Sequence, residues 1–174
     1  MRSIAAVVAF ACVLGGVGRA SADTMSTFSV GNWEAGAYSV NGTSTFDHCA
    51  ALANYKNGIN MLFAVSRSLQ WSMGFQNPNW SLKPGQSYPI AFTIDGDSPS
   101  LGTAVALTNT EVEVQLAGNV PLFEKFMHGE VLRVEAAAQN FTFDLTNTVE
   151  LLPALLRCAQ NYASEQVDSN PFQK

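Results

Sequence analysis

The sequence predicts a mainly β fold, an antiparallel β-sandwich or barrel-like sheet with a short helix and a C-terminal helix packed on it. Apolar and polar residues alternate with period two in several stretches, and tight-turn dipeptides separate these stretches. Only two stretches show helical periodicity. With 174 residues, of which 47% are apolar and 13% charged, the chain is long enough to bury one substantial core.

Five stretches alternate regularly, as antiparallel strands do when one face is solvated. Their apolar positions are Leu69, Trp71, Met73, Phe75, then Tyr88, Ile90, Phe92, Ile94, then Val112, Val114, Leu116, then Leu132, Val134, Ala136, and finally Phe141, Phe143, Leu145. Less regular strands are expected at residues 35–40, 45–55, 61–66 and 103–108.

Turn chemistry falls between these strands. Asn41-Gly42, Asn57-Gly58 and Asp95-Gly96 are dipeptides whose residues tolerate positive φ. Lys83-Pro84-Gly85-Gln86 places proline and glycine where a type II turn needs them.

The first predicted helix is short, with Asn119 as its cap, Pro121 in its opening turn and Gly129 at its end. Its apolar face consists of Leu122, Phe123, Phe126 and Met127. The second helix is expected from about Thr148 to Ala163, with Pro153 near its start. Its apolar stripe is Leu152, Leu155, Leu156, Ala159 and Tyr162.

Residues 1–22 read as a secretory signal peptide, with Arg2 before an apolar run and Ala20-Ser21-Ala22 as the cleavage site. A membrane-spanning helix is the alternative, but glycines and Arg19 interrupt the run before about 20 apolar residues are reached. A lipoprotein that uses Cys12 is a weaker alternative. We therefore expect a periplasmic or secreted protein, with one domain at 23–164 and a flexible polar tail at 165–174.

Cleavage after Ala22 would leave 7 basic and 14 acidic residues, so the mature chain would carry a net charge of −7. Such a surface disfavours nucleic acid as a partner, and the mature chain contains no predicted transmembrane segment. Cys49 and Cys158 would remain, and a disulfide is the expected state in an oxidising compartment. The bond would contribute about 4–5 kcal/mol in the chain-entropy model. Two free buried thiols are the alternative.

Cofactor and metal motifs are not evident, so we expect neither a cofactor nor a metal. The sequence lacks a Gly-x-Ser-x-Gly elbow, and its Walker and Rossmann fingerprints are missing. His48 and His128 are far apart for a zinc site, and His48 should point away from Cys49 because strand neighbours face opposite ways. The run Asp95-Gly96-Asp97-Ser98 offers oxygen atoms of the kind that bind calcium, but it lacks the other spaced acids of an EF-hand, and a hairpin turn explains it better.

Two carboxylates, Glu111 and Glu113, share one strand face about 6–7 Å apart by strand geometry. Glycosidase carboxylates stand at comparable separations. Acids on the polar face of an alternating strand are ordinarily solvated, so no catalytic residue is assigned.

Trp80 breaks the strand alternation and lies in the segment Asn77-Pro78-Asn79-Trp80. An exposed tryptophan in a turn can anchor a sugar or a protein. We therefore predict a binding surface at Trp80, Asn77 and Asn79, with Trp33 as a further member.

Two segments of the sequence carry a family resemblance. The first is the strand Tyr88–Gly96, which ends in Ile94-Asp95-Gly96. The second is Phe143-Asp144-Leu145-Thr146 followed by Leu151-Leu152-Pro153-Ala154-Leu155-Leu156. Together with the signal peptide, they resemble small exported alphaproteobacterial proteins of the invasion-associated locus B type. The similarity covers roughly residues 46–158. It implies a periplasmic β-rich domain, and some members are linked to host-cell entry.

Three functions are carried forward from the sequence. The first is a non-catalytic binding domain of the bacterial envelope whose partner is an unknown envelope or host macromolecule. The second is an envelope-polymer hydrolase that uses Glu111, Glu113, Asp95 or Asp97. The third is an inhibitor of a lysozyme-type hydrolase that inserts a loop such as residues 74–80 into its target.

Overall fold

The computed structural model describes residues 23–40, 43–137 and 139–168. The strands in this part of the chain are β1 (Thr24–Val30), β2 (Trp33–Ser39), β3 (Phe46–Asn54), β4 (Asn60–Ser66), β5 (Trp71–Gln76), β6 (Ser87–Ile94), β7 (Ser100–Ala106), β8 (Glu111–Ala117), β9 (Val131–Ala136) and β10 (Gln139–Asp144). The helices are α1 (Val120–His128) and α2 (Thr148–Asp168).

The strands form one ten-stranded sheet in the order β1-β2-β3-β4-β5-β8-β7-β6-β9-β10. Every neighbouring pair is antiparallel. The sheet is not closed, since β1 and β10 lie at its two ends, and the C-terminal helix packs on β2, β3 and β4. The predicted fold class is therefore confirmed.

Side-chain burial follows the predicted alternation in β6, where Ile90, Phe92 and Ile94 are buried and the residues between them are not. Leu69 was predicted to face the core, and this is wrong. It lies in the turn before β5 with φ 58° and is 41% exposed, because Ser66 and Gln70 pair across this turn.

Strand β1 was not anticipated. Its sequence, TMSTFSV, is mostly polar and carries little alternating apolar signal. The strand forms because its backbone pairs with that of β2, from Thr24 opposite Tyr38 to Val30 opposite Trp33. Tertiary pairing overrides a weak local pattern here.

Two predicted turns are confirmed in detail. Asp95 and Gly96 have φ values of 52° and 79°, as the first hairpin turn requires. Gly85 has φ 80°, and the amide of Gln86 donates to the carbonyl of Lys83 at 3.0 Å, which closes the second. Asn41-Gly42 lies outside the described residues.

Helix α1 begins and ends as predicted. The Asn119 side chain accepts a hydrogen bond from the amide of Leu122 at 3.1 Å, and Phe126 is fully buried. The helix ends at Gly129, whose backbone is extended and whose amide donates to the carbonyl of Lys125 at 2.9 Å. Glycine is needed at this position because a Cβ would collide with Ile94 and lie 2.8 Å from the carbonyl oxygen of Lys125.

Helix α2 starts at Thr148 as predicted but continues to Asp168, five residues beyond the expected end. Residues 164–168 contain no helix breaker, and the next proline is Pro171. The first four residues of the predicted tail are thus helical, and residues 169–174 lie outside the described part of the chain.

The predicted disulfide joins Cys49 in β3 to Cys158 in α2, with a Cα–Cα distance of 6.2 Å. Leu151, Leu155 and Ala159 on the same helix are completely buried against the sheet. The bond therefore fastens a helix that apolar packing already places. In the part of the chain that the structure describes, no helix has the length and hydropathy to cross a membrane, and the predicted signal peptide lies outside this part.

Candidate functional site

The sheet curls so that β10, at one end of the strand order, lies against strands of the first half. The Phe143 ring on β10 lies 5.2 Å from Phe75 on β5 and 5.0 Å from Tyr55, measured between ring centroids. Just beyond β10, the carbonyl of Thr146 accepts a hydrogen bond from the indole of Trp33 at 3.0 Å. These contacts create an interior between two parts of the same sheet.

One part of this interior is filled by α1, and we call it the helix-filled end. Phe126 on α1 is fully buried, and its ring lies 5.5 Å from the rings of Phe63 and Trp71 and 5.9 Å from that of Phe92. Aromatic rings at such separations fill the space between strands densely. The indole nitrogen of Trp71 is buried here and has no hydrogen-bond partner among the described residues.

The other part contains a cavity of about 300 Å³, and we call it the cavity end. Strands β5 and β6 contribute to both ends. Trp71 on β5 and Phe92 on β6 lie at the helix-filled end. Phe75 on β5 and Ile90 on β6 lie at the cavity end. The lining is almost entirely apolar, and its residues are Ile59, Phe75, Trp80, Ser81, Leu82, Tyr88, Pro89, Ile90, Ala104, Val112, Val134, Ala136, Ala137, Gln139, Phe141 and Phe143. Ligand pockets in proteins start at about this volume and have a similar apolar character.

None of these described lining residues is charged. The polar members Ser81 and Gln139 are exposed, which places them where the cavity reaches the surface. The hydroxyl of Tyr88 accepts a long hydrogen bond, 3.5 Å, from the amide of Lys83. The lining residues Pro89 and Ala137 are exposed as well, so the cavity has an apolar interior and a mouth that mixes polar and apolar side chains.

Trp80 lies in the wall of this cavity, which places the predicted binding residue at a concave site rather than on an open surface. It is half-buried and packs against the core. The segment before it is fixed by Asn77, whose side-chain oxygen accepts from the amide of Asn79 at 2.9 Å and whose carbonyl accepts from the amide of Trp80 at 3.1 Å. Asn77 thus shapes the turn, and Asn79 is exposed beside it.

Trp33, the further member of the predicted surface, is completely buried. The centroid of its ring lies 5.5 Å from that of Phe63, and its indole nitrogen donates a hydrogen bond to the carbonyl of Thr146. The assignment of Trp33 to a binding surface is therefore wrong, because the side chain joins the core and has no exposed atom to offer.

The segment 74–80 is not a projecting loop. Gly74, Phe75 and Gln76 belong to β5, and only residues 77–80 form a turn before the next segment. An inhibitor of the predicted kind could therefore insert only the turn at residues 77–80 into another protein's cleft, which is shorter than the predicted loop.

A second concavity, of about 360 Å³, lies on the outer face of β3, β4, β5 and β8. Glu111 and Glu113 line it together with His48 and Asp47. Partial burial raises the pKa of Glu111, the neighbouring Glu113 carboxylate raises it further, and His48 acts in the opposite direction. The structure thus brings the two predicted carboxylates into one groove, and it adds a histidine that the sequence did not connect with them.

His48 and Cys49 face opposite sides of β3, as strand geometry predicts. Cys49 is buried in the disulfide, whereas the His48 ring stacks on Tyr38 at 5.2 Å and its Nδ1 lies 2.9 Å from the Asp47 carboxylate. His128 is far from this groove, exposed on α1 with its Nε2 3.5 Å from Glu124.

Asp95 and Asp97 do not join Glu111 and Glu113. The Asp95 carboxylate accepts hydrogen bonds from the amides of Glu130 and Val131 at 3.0 and 2.8 Å, and Asp97 pairs with Lys125 at 2.6 Å. Both acids tie the hairpin turn to neighbouring elements. Among the described residues, no group of three or more histidine, cysteine or acidic side chains is placed to hold a metal ion.

Sequence reasoning missed the cavity itself. Phe75, Tyr88, Ile90 and Phe141 were correctly assigned to the inward face of their strands. A period-two pattern indicates that a side chain points inward but carries no information about whether the space it meets is filled.

No protein-family model matches the chain, and no curated protein matches its sequence. The fold is similar to the crystal structure of invasion associated protein B from Bartonella henselae, with a TM-score of 0.54 and 13% sequence identity. The similarity covers 78% of this chain and 98% of that chain. At this identity the likeness concerns the fold, and it supports the resemblance predicted from the sequence at that level.

Proposed function

We propose that this protein is a non-catalytic binding domain of the bacterial envelope, exported to the periplasm or beyond, and that the cavity end is its binding site. The observation that carries this proposal is the cavity of about 300 Å³, which has an almost entirely apolar lining and reaches the surface beside Ser81 and Gln139. Protein interiors are normally packed to the density of organic crystals, so a cavity of this size that reaches the surface is typical of a ligand site.

The disulfide supports the extracytoplasmic part of the proposal. Cys49 and Cys158 are bonded, and disulfides persist in oxidising compartments such as the periplasm. The signal peptide predicted at residues 1–22 agrees with this location.

The similarity to invasion associated protein B supports a role in contact between a bacterium and its host. A shared fold does not by itself transfer a function. The proposal therefore defines the partner by the chemistry of the cavity and not by the fold similarity.

The experiment is retention of envelope components on the immobilised protein. We expect at least one component to be retained by the wild type and lost on Trp80→Ala, because Trp80 forms part of the cavity wall. Leu101→Ala is the matched control, since Leu101 is a large apolar residue that is 84% exposed and does not line the cavity. Equal retention by all three proteins, or no enrichment over denatured protein, would contradict the proposal.

A hydrolase is the second candidate, and the outer groove is the observation that favours it. Glu111 has a raised pKa beside Glu113 and His48, as a general acid requires. The test is release of soluble fragments from purified peptidoglycan by the wild type, Glu111→Gln and Glu113→Gln. Release that is lost in both variants would establish this candidate, and no release by the wild type would remove it.

A further inference from the structure

We infer that the cavity binds a single unbranched hydrocarbon chain, such as the acyl chain of a fatty acid or of an acylated envelope molecule. This inference rests on the proposed function, in which the cavity is the binding site. It adds the chemical class of the ligand.

The lining excludes ligands that carry polar groups along their length. A peptide or a sugar brings amide or hydroxyl groups that need hydrogen-bond partners, and burial without a partner costs several kcal/mol per group. Among the described lining residues, the interior is formed by side chains such as Phe75, Ile90, Val112 and Phe143, which offer no such partner. The polar lining side chains Ser81 and Gln139 are exposed, and the Tyr88 hydroxyl contacts the amide of Lys83. A hydrocarbon therefore fills the apolar interior without leaving polar groups unpaired.

The shape of the site favours one chain over a bulky ring system. The cavity is small for a ligand site, about 300 Å³, and it stops where the packed helix-filled end begins. The walls belong to two parts of one curled sheet, with Phe75 and Phe143 only 5.2 Å apart where they meet. A flexible chain fits between such walls because it can follow their curvature.

The mouth suits the polar end of an acyl chain. Ser81 and Gln139 are exposed there, and Lys83 follows the lining residue Leu82 directly in sequence. No carboxylate is present among the described lining residues to repel a fatty-acid headgroup. The chain would therefore enter with its methyl end first, and its headgroup would stay in water.

The experiment uses purified protein stripped of lipid, titrated with the fluorescent probe 11-(dansylamino)undecanoic acid. Saturated fatty acids and lysophosphatidylcholines of 6 to about 16 carbons then compete with the probe. We expect affinity to rise by up to about fourfold for each added methylene and to level off once the chain fills the cavity. Competition by both series would indicate that the acyl chain alone is recognised, and competition by fatty acids only would indicate that a free carboxylate is also required.

A pair of variants separates binding in the cavity from adsorption to the surface. Ala136→Phe places a large ring in the cavity from β9. Ala91→Phe adds the same ring to the neighbouring strand β6, where residue 91 pairs with Glu135 and faces away from the cavity. We expect Ala136→Phe to weaken probe binding at least tenfold and Ala91→Phe to leave it within twofold.

Three outcomes would overturn the inference: no saturable binding of the probe, affinity that rises without a plateau, or equal binding by the two variants. Should Ala136→Phe fail to fold, the chain-length series on the wild type decides alone. Failure of the inference is distinguishable from failure of the proposed function. If the probe does not bind but an envelope component is still lost on Trp80→Ala, the cavity is a binding site for another ligand class.

Discussion

The two ends of the interior are built from the same strands yet differ in what fills them. At the helix-filled end, Phe126 inserts among Phe63, Trp71 and Phe92. At the cavity end, the inward residues of β5 and β6 meet about 300 Å³ of space. The comparison teaches that one sheet can form a densely packed core at one end and a cavity at the other, depending on whether a helix fills the space between its strands.

The largest expected effect concerns the covalent bond that holds α2, the helix that packs against α1. The double variant Cys49→Ala/Cys158→Ala should lose about 4–5 kcal/mol of unfolding free energy while keeping probe binding at temperatures where it is folded. Urea denaturation monitored by tryptophan fluorescence measures the loss. An unchanged denaturation midpoint would show that apolar packing alone secures the helix.

Truncation of one phenylalanine at each end tests the comparison directly. Phe126→Ala should destabilise the protein by about 3–5 kcal/mol, because Phe126 is fully buried in dense packing. Phe141→Ala should cost only about 1–2 kcal/mol, since Phe141 is half-buried and already borders the cavity. Equal losses in urea denaturation would mean that the cavity end is as tightly packed as the other.

A larger side chain should raise the free energy of unfolding at the cavity wall and lower it where the core is already densely packed. Ala104→Val at the cavity wall should stabilise the protein by about 0.5–1 kcal/mol, because the new methyl groups enter empty space. Ala37→Val, at a fully buried position of β2 away from the cavity, should destabilise it by about 1–3 kcal/mol. Thermal unfolding of the two variants in parallel gives the answer, and a loss of stability in both would contradict the assignment of empty space.

The smallest expected effect is at Tyr55, whose ring contacts Phe143 and whose hydroxyl donates to the carbonyl of Asp144. Tyr55→Phe should cost about 1 kcal/mol near neutral pH. Burial, with a smaller contribution from Asp144, raises the pKa of Tyr55 to about 12 from its usual 10.

Because the pKa of Tyr55 is raised on folding, the free energy of unfolding should fall as the pH rises above 10. The folded state favours the neutral phenol, so the contribution of Tyr55 is complete below pH 10 and is lost as the pH rises towards 12. The wild type should therefore lose stability more steeply than Tyr55→Phe above pH 10. Parallel slopes for the two proteins in urea denaturation at pH 9 to 11 would contradict the role assigned to this hydroxyl.

Most of the fold could be predicted because its determinants are local. Alternation located β6, β8 and β9, the Asn119 cap and Gly129 bounded α1, and the number of cysteines led to the disulfide. The predictions that failed concern residues whose structure depends on partners that are distant in the sequence. Strand β1 is polar and exists only because β2 pairs with it, and Trp33 is buried because residues more than 100 positions later close over it.

The candidate site could be predicted only in part for a related reason. Trp80 was singled out because it broke a pattern, and it does border the cavity. Phe141 and Ile90 obeyed their patterns and so looked like ordinary core residues. Empty space is a property of the whole packing arrangement, so no local pattern of these residues could have revealed it.

The position of the disulfide in the chain has a consequence for biosynthesis. Cys49 lies in the third strand and Cys158 in the last helix, 109 residues later. The bond can therefore form only after every strand of the sheet has been synthesised and α2 has reached β3. A chain interrupted before residue 158 keeps the Cys49 thiol without its native partner, and oxidation of this pair marks a molecule whose synthesis has run past all ten strands.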